Sequence, residues 1–132
     1  MAVSTHDAKS TFVVHSPDNV MTALPVTPNF YQELDERYSS FHGHTLISCH
    51  TFSEDWPTWE VHPEGDEYVC LMAGAARLTM RTAEGDESVE LTEPGTFVIV
   101  PRGTWHTAKI SSEATMIFMT PGEGTLNAET PA

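Results

Sequence analysis

Two glutamates and two histidines are the residues of this chain whose types and spacing suit chemistry. Glu60 and His62 stand two apart in a segment of strand character, so both side chains leave one face while Trp59 and Val61 leave the other. The turn residues Pro63-Glu64-Gly65-Asp66 should reverse the chain and open a neighbouring strand at Glu67, close to that pair. His106 comes from a strand much later in the sequence. Imidazole and carboxylate are ordinary ligands of divalent first-row metals, and two His plus one carboxylate with open positions is the facial arrangement of non-haem iron oxygenases. His62, Glu67 and His106 are therefore the metal candidates. Glu60 is placed to be a fourth ligand or a general base whose pKa burial raises.

Composition narrows the partners. The 132 residues suffice for one compact domain with one core. Nineteen acidic against six basic residues give a net charge of -13. That balance argues against nucleic acid, where Lys and Arg neutralise phosphate, and against an anionic membrane surface. The apolar runs fall far short of the ~20 residues that span a bilayer. Met1 to Ser10 lack the basic start and apolar stretch of a secretory signal, so a cytoplasmic location is expected. Cys49 and Cys70 then read as free, buried thiols rather than a disulfide.

Short strands and turns must position the four residues. Thr11 to His15 reads as one strand, followed by a connector broken by Pro17, Pro25 and Pro28. Asn29 is an N-cap candidate for a helix over Phe30 to Tyr38, whose stripe of Phe30, Leu34 and Tyr38 packs on the barrel. From Gly43 the rhythm is all-β, a sandwich or barrel. Candidate strands are His44–Phe52, Trp56–His62, Glu67–Met72, Ala75–Thr82, Ser88–Leu91, Thr96–Val100, Trp105–Ile110 and Ala114–Met119. Phe97, Ile99, Met116, Phe118 and Met119 are core candidates by alternation. The organisation is an N-terminal arm and helix over 1–40, a barrel over 41–120 and a loose tail over 121–132.

Gly95, Pro101, Gly103 and His106 reproduce the spacing G-x5-P-x-G-x2-H. With Gly, Pro and His at their frequencies in this chain, that pattern arises by chance in about two of a thousand such sequences. Upstream, His62, Glu67 and Gly74 follow the end of a second pattern, H-x4-E-x6-G. The two patterns resemble the paired motifs of the cupin family. Three positions depart: Glu54 stands where the family has Gly, Glu60 where it has the first His, and Ile110 where it often has Asn. The resemblance implies a small jelly-roll β-barrel over about 41–120, with His62, Glu67 and His106 pointing inward as ligands of one divalent ion, Fe, Mn, Ni or Zn. It also implies a homodimer, paired through the sheets and the N-terminal strand, with Thr11 to His15 as an edge strand.

The remaining titratable residues have blander readings. His42 and His44 lack carboxylate partners at ligand spacing. His50 is a candidate proton shuttle or substrate contact if it faces the cavity. Trp56 and Trp59 suit a core or interface role, and Arg77 and Arg102 a surface one. A concave metal site suits a small molecule. The expectation is thus a metalloenzyme acting on a small oxygenated compound, as a dioxygenase or as an isomerase or lyase, with Glu60 and His50 moving protons. The alternative is a non-catalytic metal-dependent binding or sensing module. A metal-free sugar epimerase of the same fold would need a His and Tyr pair, and alternation turns Tyr68 away from Glu67.

Overall fold

The computed structural model describes residues 3–131, and strands dominate it. β1 (Thr11–His15), β2 (Met21–Pro25) and β3 (Thr45–Phe52) flank the helix α1 (Phe30–Arg37). β4 (Trp59–Val61), β5 (Glu67–Thr82), β6 (Gly85–Leu91), β7 (Phe97–Val100), β8 (His106–Thr120) and β9 (Leu126–Ala128) complete the chain. All pairings are antiparallel, in the order β2-β1-β3-β8-β4-β9, with β5 along the other edge of β8 and β6 and β7 along β5. β2, β6, β7 and β9 each have a single partner, so the hydrogen-bonded sheet does not close. The architecture is the expected all-β one with a short N-terminal helix, as a bent antiparallel sheet.

The two strands expected on either side of Gly74 are one strand. Gly74 has φ +78°, and a Cβ there would lie 2.0 Å from the carbonyl oxygen of Glu113. The register against β8 slips on both sides of it, which marks a bulge that bends the ladder without ending it. β8 likewise runs through the Ser-Ser-Glu segment between the expected strands Trp105–Ile110 and Ala114–Met119.

Three further expectations change. β1 is not an edge strand: β2, formed from the Pro-punctuated connector, covers it. The tail beyond Pro121 contains β9, paired along β4. Glu67 opens β5, but β5 and β4 lie on opposite edges of β8 and do not pair.

Two clusters form the core. One, of residues such as Leu71, Leu78, Leu91, Met116 and Phe118, fills the space between the bent strands. The second joins Phe30 and Leu34 of α1 to Phe12, Val14 and Leu46 of the sheet. Burying side chains of this size stabilises by about 1.5–3 kcal/mol each, which holds the helix down. Phe97 and Ile99 are not core: each is 53% exposed, and Met119 also faces outward. Val100 takes the inner side of β7 instead, since alternation gives each face every second residue. Cys49 and Cys70 are free and buried.

Candidate metal centre

His62, Glu67 and His106 are buried together, and Glu60 lies beside them at the rim of a cavity. Their convergence has a local cause. Glu60 and His106 face each other across the β4–β8 ladder. The two turns that precede Glu67 and His106 are laced: Gly103 N–H donates to the carbonyl of His62 (3.0 Å), Arg102 N–H to the carboxylate of Asp66 (2.8 Å), and the Arg102 guanidinium to the carbonyl of Glu64 (3.1 Å). Gly103 accomplishes this at φ +73°, a conformation that suits glycine.

The imidazoles stand 5.2 Å apart, centroid to centroid. One donor atom each from Glu60, His62 and His106 lies within 4.8 Å of the other two. Glu67 falls outside that grouping, but its carboxylate meets His62 Nε2 at 3.2 Å and His106 Nε2 at 3.1 Å. These contacts are at ion-pair distance without the angles of a hydrogen bond. His62 Nε2, His106 Nε2 and Glu67 Oε1 are consequently buried without hydrogen-bond partners. Such orphans are rare, and in this donor set they are what a metal ion would satisfy.

The far side of each ring is engaged. His62 Nδ1 meets Thr125 Oγ1 at 2.8 Å and His106 Nδ1 meets the carbonyl of Thr104 at 3.0 Å. A carbonyl only accepts, so His106 carries a proton on Nδ1, which leaves Nε2, facing the Glu67 carboxylate, as the nitrogen that an ion would take in place of a proton, the orientation seen in metal-ligating histidines. Thr120 Oγ1 donates to Glu67 Oε2 at 2.6 Å. Thr125 belongs to the tail, and no spacing in the sequence singles it out.

Electrostatics separate the two carboxylates. Burial pushes the Glu60 carboxyl up, against the pull of the imidazoles. Burial also opposes ionisation of Glu67, but His106 and His62 outweigh it and bring that carboxyl down to about 2. Burial lowers His106, and the Glu67 carboxylate more than reverses the effect. The two carboxyls thus sit in unlike environments, one held charged by the imidazoles and the other with its charged form disfavoured by burial.

The fold recurs in solved structures. An oxalate oxidase superposes with a TM-score of 0.53 at 18% identity over 62% of this chain and 45% of that one. Oxalate decarboxylase of Bacillus subtilis, whose Mn(II) centres are described, gives 0.54 at 14% over 64% and 23%. A cupin-2 domain protein of Shewanella frigidimarina gives 0.50 at 18% over 58% and 70%. The chain has the cupin fold. It spans less than half the length of the two oxalate enzymes. No protein-family model and no curated protein matches its sequence.

The cavity has a volume of about 1020 Å³ and is lined by Glu60, His62, Glu67 and, from elsewhere, Tyr31, His50 and Trp56. His50 thus faces the cavity, bonded to Tyr31. His42 pairs with Glu123 at 2.8 Å, and His44 packs on Tyr38 and Phe41. Arg77 pairs with Glu90, Arg81 rather than a ligand covers Trp59, and neither Arg77 nor Arg102 lines the cavity. Tyr68 stacks on Phe97 outside the metal group. Among the described residues no helix is long and apolar enough to cross a membrane.

Proposed function

We propose that this cupin is a metal-dependent enzyme acting on a small oxygenated organic molecule, by oxygenation or by isomerisation or elimination. The observation that supports it is the pair of buried, unpartnered Nε2 atoms, their rings already oriented through Nδ1, with His62, Glu60 and Glu67 of the same group lining a ligand-sized cavity and His106 directly behind them. His62, His106 and Glu60 would hold the ion, with Glu67 as a further oxygen donor. A divalent ion so held polarises a carbonyl or hydroxyl oxygen and stabilises the negative charge that develops on it. Two carboxylates favour harder ions such as Mn or Fe over Ni or Zn.

The chain's own residues do the rest. Trp56, Phe52 and Phe118 pack as one aromatic group beside His106 and exclude water from it. Glu60, partly open to the cavity and eased toward protonation, is the group to take a proton from substrate if it does not bind metal. His50 is the second candidate for proton movement.

A homodimer belongs to the same proposal. Tyr68, Phe97, Ile99 and Met119 adjoin in register on the outer sheet face and leave an apolar surface on a strongly acidic protein. A cytoplasmic location remains the expectation for the chain, and sedimentation equilibrium reads the dimer directly.

The test is metal analysis of protein purified without added metal, followed by turnover assays of the Fe(II)- and Mn(II)-loaded forms. One bound ion per chain, with oxygen uptake or substrate conversion, is expected. Tight ligand binding without turnover would make the protein a sensing module, and failure to bind any divalent ion would overturn the reading.

A further inference from the structure

Tyr31 and His50 form a second polar group in the same cavity. Tyr31 lies on α1, the turn that also buries Phe30 and Leu34, and its hydroxyl meets His50 Nε2 at 3.2 Å. The Tyr31 ring is open on one side, at 55% exposure, while its hydroxyl end is turned inward. His50 is fixed by aromatic neighbours: Phe12, Phe52 and Phe118 stand 5.1, 5.8 and 5.9 Å from its ring. His50 of β3 pairs with Met116 of β8 and Glu60 of β4 with His106 of β8, so the two groups stand beside different parts of that strand.

The pair is uncharged. Burial, with Glu60 and Glu67 adding, pushes the Tyr31 phenol up to about 12, and burial pushes His50 down. A neutral hydroxyl and a neutral imidazole that share one proton leave a donor or an acceptor free for a ligand oxygen. Tyr31, His50 and the metal-group residues are joined in the wall by Asp35, Glu54 and Asp55, and no Lys or Arg lines it. In the metal-free protein an oxalate-like dianion would enter against those carboxylates with no cation to meet it. The apolar part of the wall includes Phe41, Leu46, Phe52, Trp56 and Phe118, and the volume is at the upper end of ordinary small-molecule sites, far more than a two-carbon acid fills.

We propose that Tyr31 and His50 are a metal-independent anchor in this cavity that hydrogen-bonds a hydroxyl or carbonyl oxygen of an uncharged phenolic substrate. This names the substrate class for the function proposed above and rests on that reading for its role in turnover, but the anchoring itself needs no metal.

Calorimetric titration with p-cresol and with toluene, which differ by one hydroxyl, tests it on metal-free and Mn(II)-loaded protein. Wild type should bind p-cresol about tenfold more tightly than toluene, the size of one good hydrogen bond. Tyr31→Phe should bring that ratio close to one while toluene affinity and Mn(II) affinity stay unchanged, since the ring keeps its edge contact with Phe30. His50→Gln should reduce the ratio in part, and oxalate should not displace p-cresol from the metal-free protein. Retention of the ratio in Tyr31→Phe, absence of saturable p-cresol binding, or displacement by oxalate from the metal-free protein would overturn the anchor. Wild type that binds no Mn(II) yet keeps the ratio would overturn the metal reading and support the anchor.

Discussion

The cavity is built by two regions of unlike physics. β4, β5 and β8 supply a buried polar group, Glu67 with His62 and His106, held by turn-to-turn hydrogen bonds and by contacts of 3.1 and 3.2 Å that leave three atoms without hydrogen bonds. The other wall comes from α1 and the strands β1 and β3, and its cohesion is apolar: Phe12 and Phe30 meet edge to face at 5.3 Å, with Leu34 and Leu46 beneath. The first region is poised for an ion at a cost in unsatisfied polar groups. The second has nothing unsatisfied in its core and sets what shape fits beside that ion. A site of this kind thus separates affinity for metal from selection of ligand, and substitutions should separate them too.

The largest contrast is expected at His106. His106→Ala removes a fully buried partner of the Glu67 carboxylate, and breaking a buried pair of this kind costs about 3–5 kcal/mol. Urea unfolding of the metal-free protein should show that loss, and Mn(II) binding should disappear. An unchanged unfolding midpoint would mean that the polar group is not held as described.

Leu34→Ala probes the apolar region. It should cost about 3 kcal/mol by cavity formation while Mn(II) affinity stays within about threefold, because Leu34 belongs to the second cluster and not to the metal group. A parallel fall in metal affinity would erase the distinction between the two regions.

Thr125→Val sharpens the comparison, since Thr125 is a tail residue that serves the polar region. Loss of its bond to His62 Nδ1 should weaken Mn(II) binding about tenfold, with Thr125→Ser restoring it and stability shifting by about 1 kcal/mol. Equal metal affinity in all three proteins would show that His62 is oriented by its surroundings alone.

The smallest effect lies at the exposed His42–Glu123 pair, which ties the tail to the turn after α1. Its hydrogen bond to Glu123 raises His42 above 6.5, so the stability from that group is full below 6.5 and fades as pH rises through the raised value. The same contact lowers Glu123 below 4.5, so its share is full above 4.5 and fades as pH falls through the lowered value. The pair therefore contributes most between about pH 4.5 and 6.5, and being exposed it contributes little. Proton NMR titration should place His42 above 6.5 in wild type and return it toward that value in Glu123→Gln.

Sequence by itself determined the parts that depend on local periodicity and turn chemistry. Glu60 and His62 share a face because strand residues two apart must, and Gly103 precedes His106 because the laced turn needs a positive φ. The all-β rhythm was legible for the same reason, whereas the grouping of His62, Glu67 and His106 as candidate ligands came from the spacing of two motifs and the free thiols from their apolar segments. The alternation along β7 was also legible, but sequence could not say which of its faces was covered, and so Phe97 and Ile99 were misplaced in the core. Tertiary structure alone decided the continuity of β5 through Gly74, where a close backbone approach makes a bulge rather than a break. It alone brought Thr125 to His62 and Tyr31 to His50, across 63 and 19 residues of chain. Those pairings have no period or motif to announce them: they follow from where a bent sheet carries β9 and α1, a property of all the strands together and of no local segment.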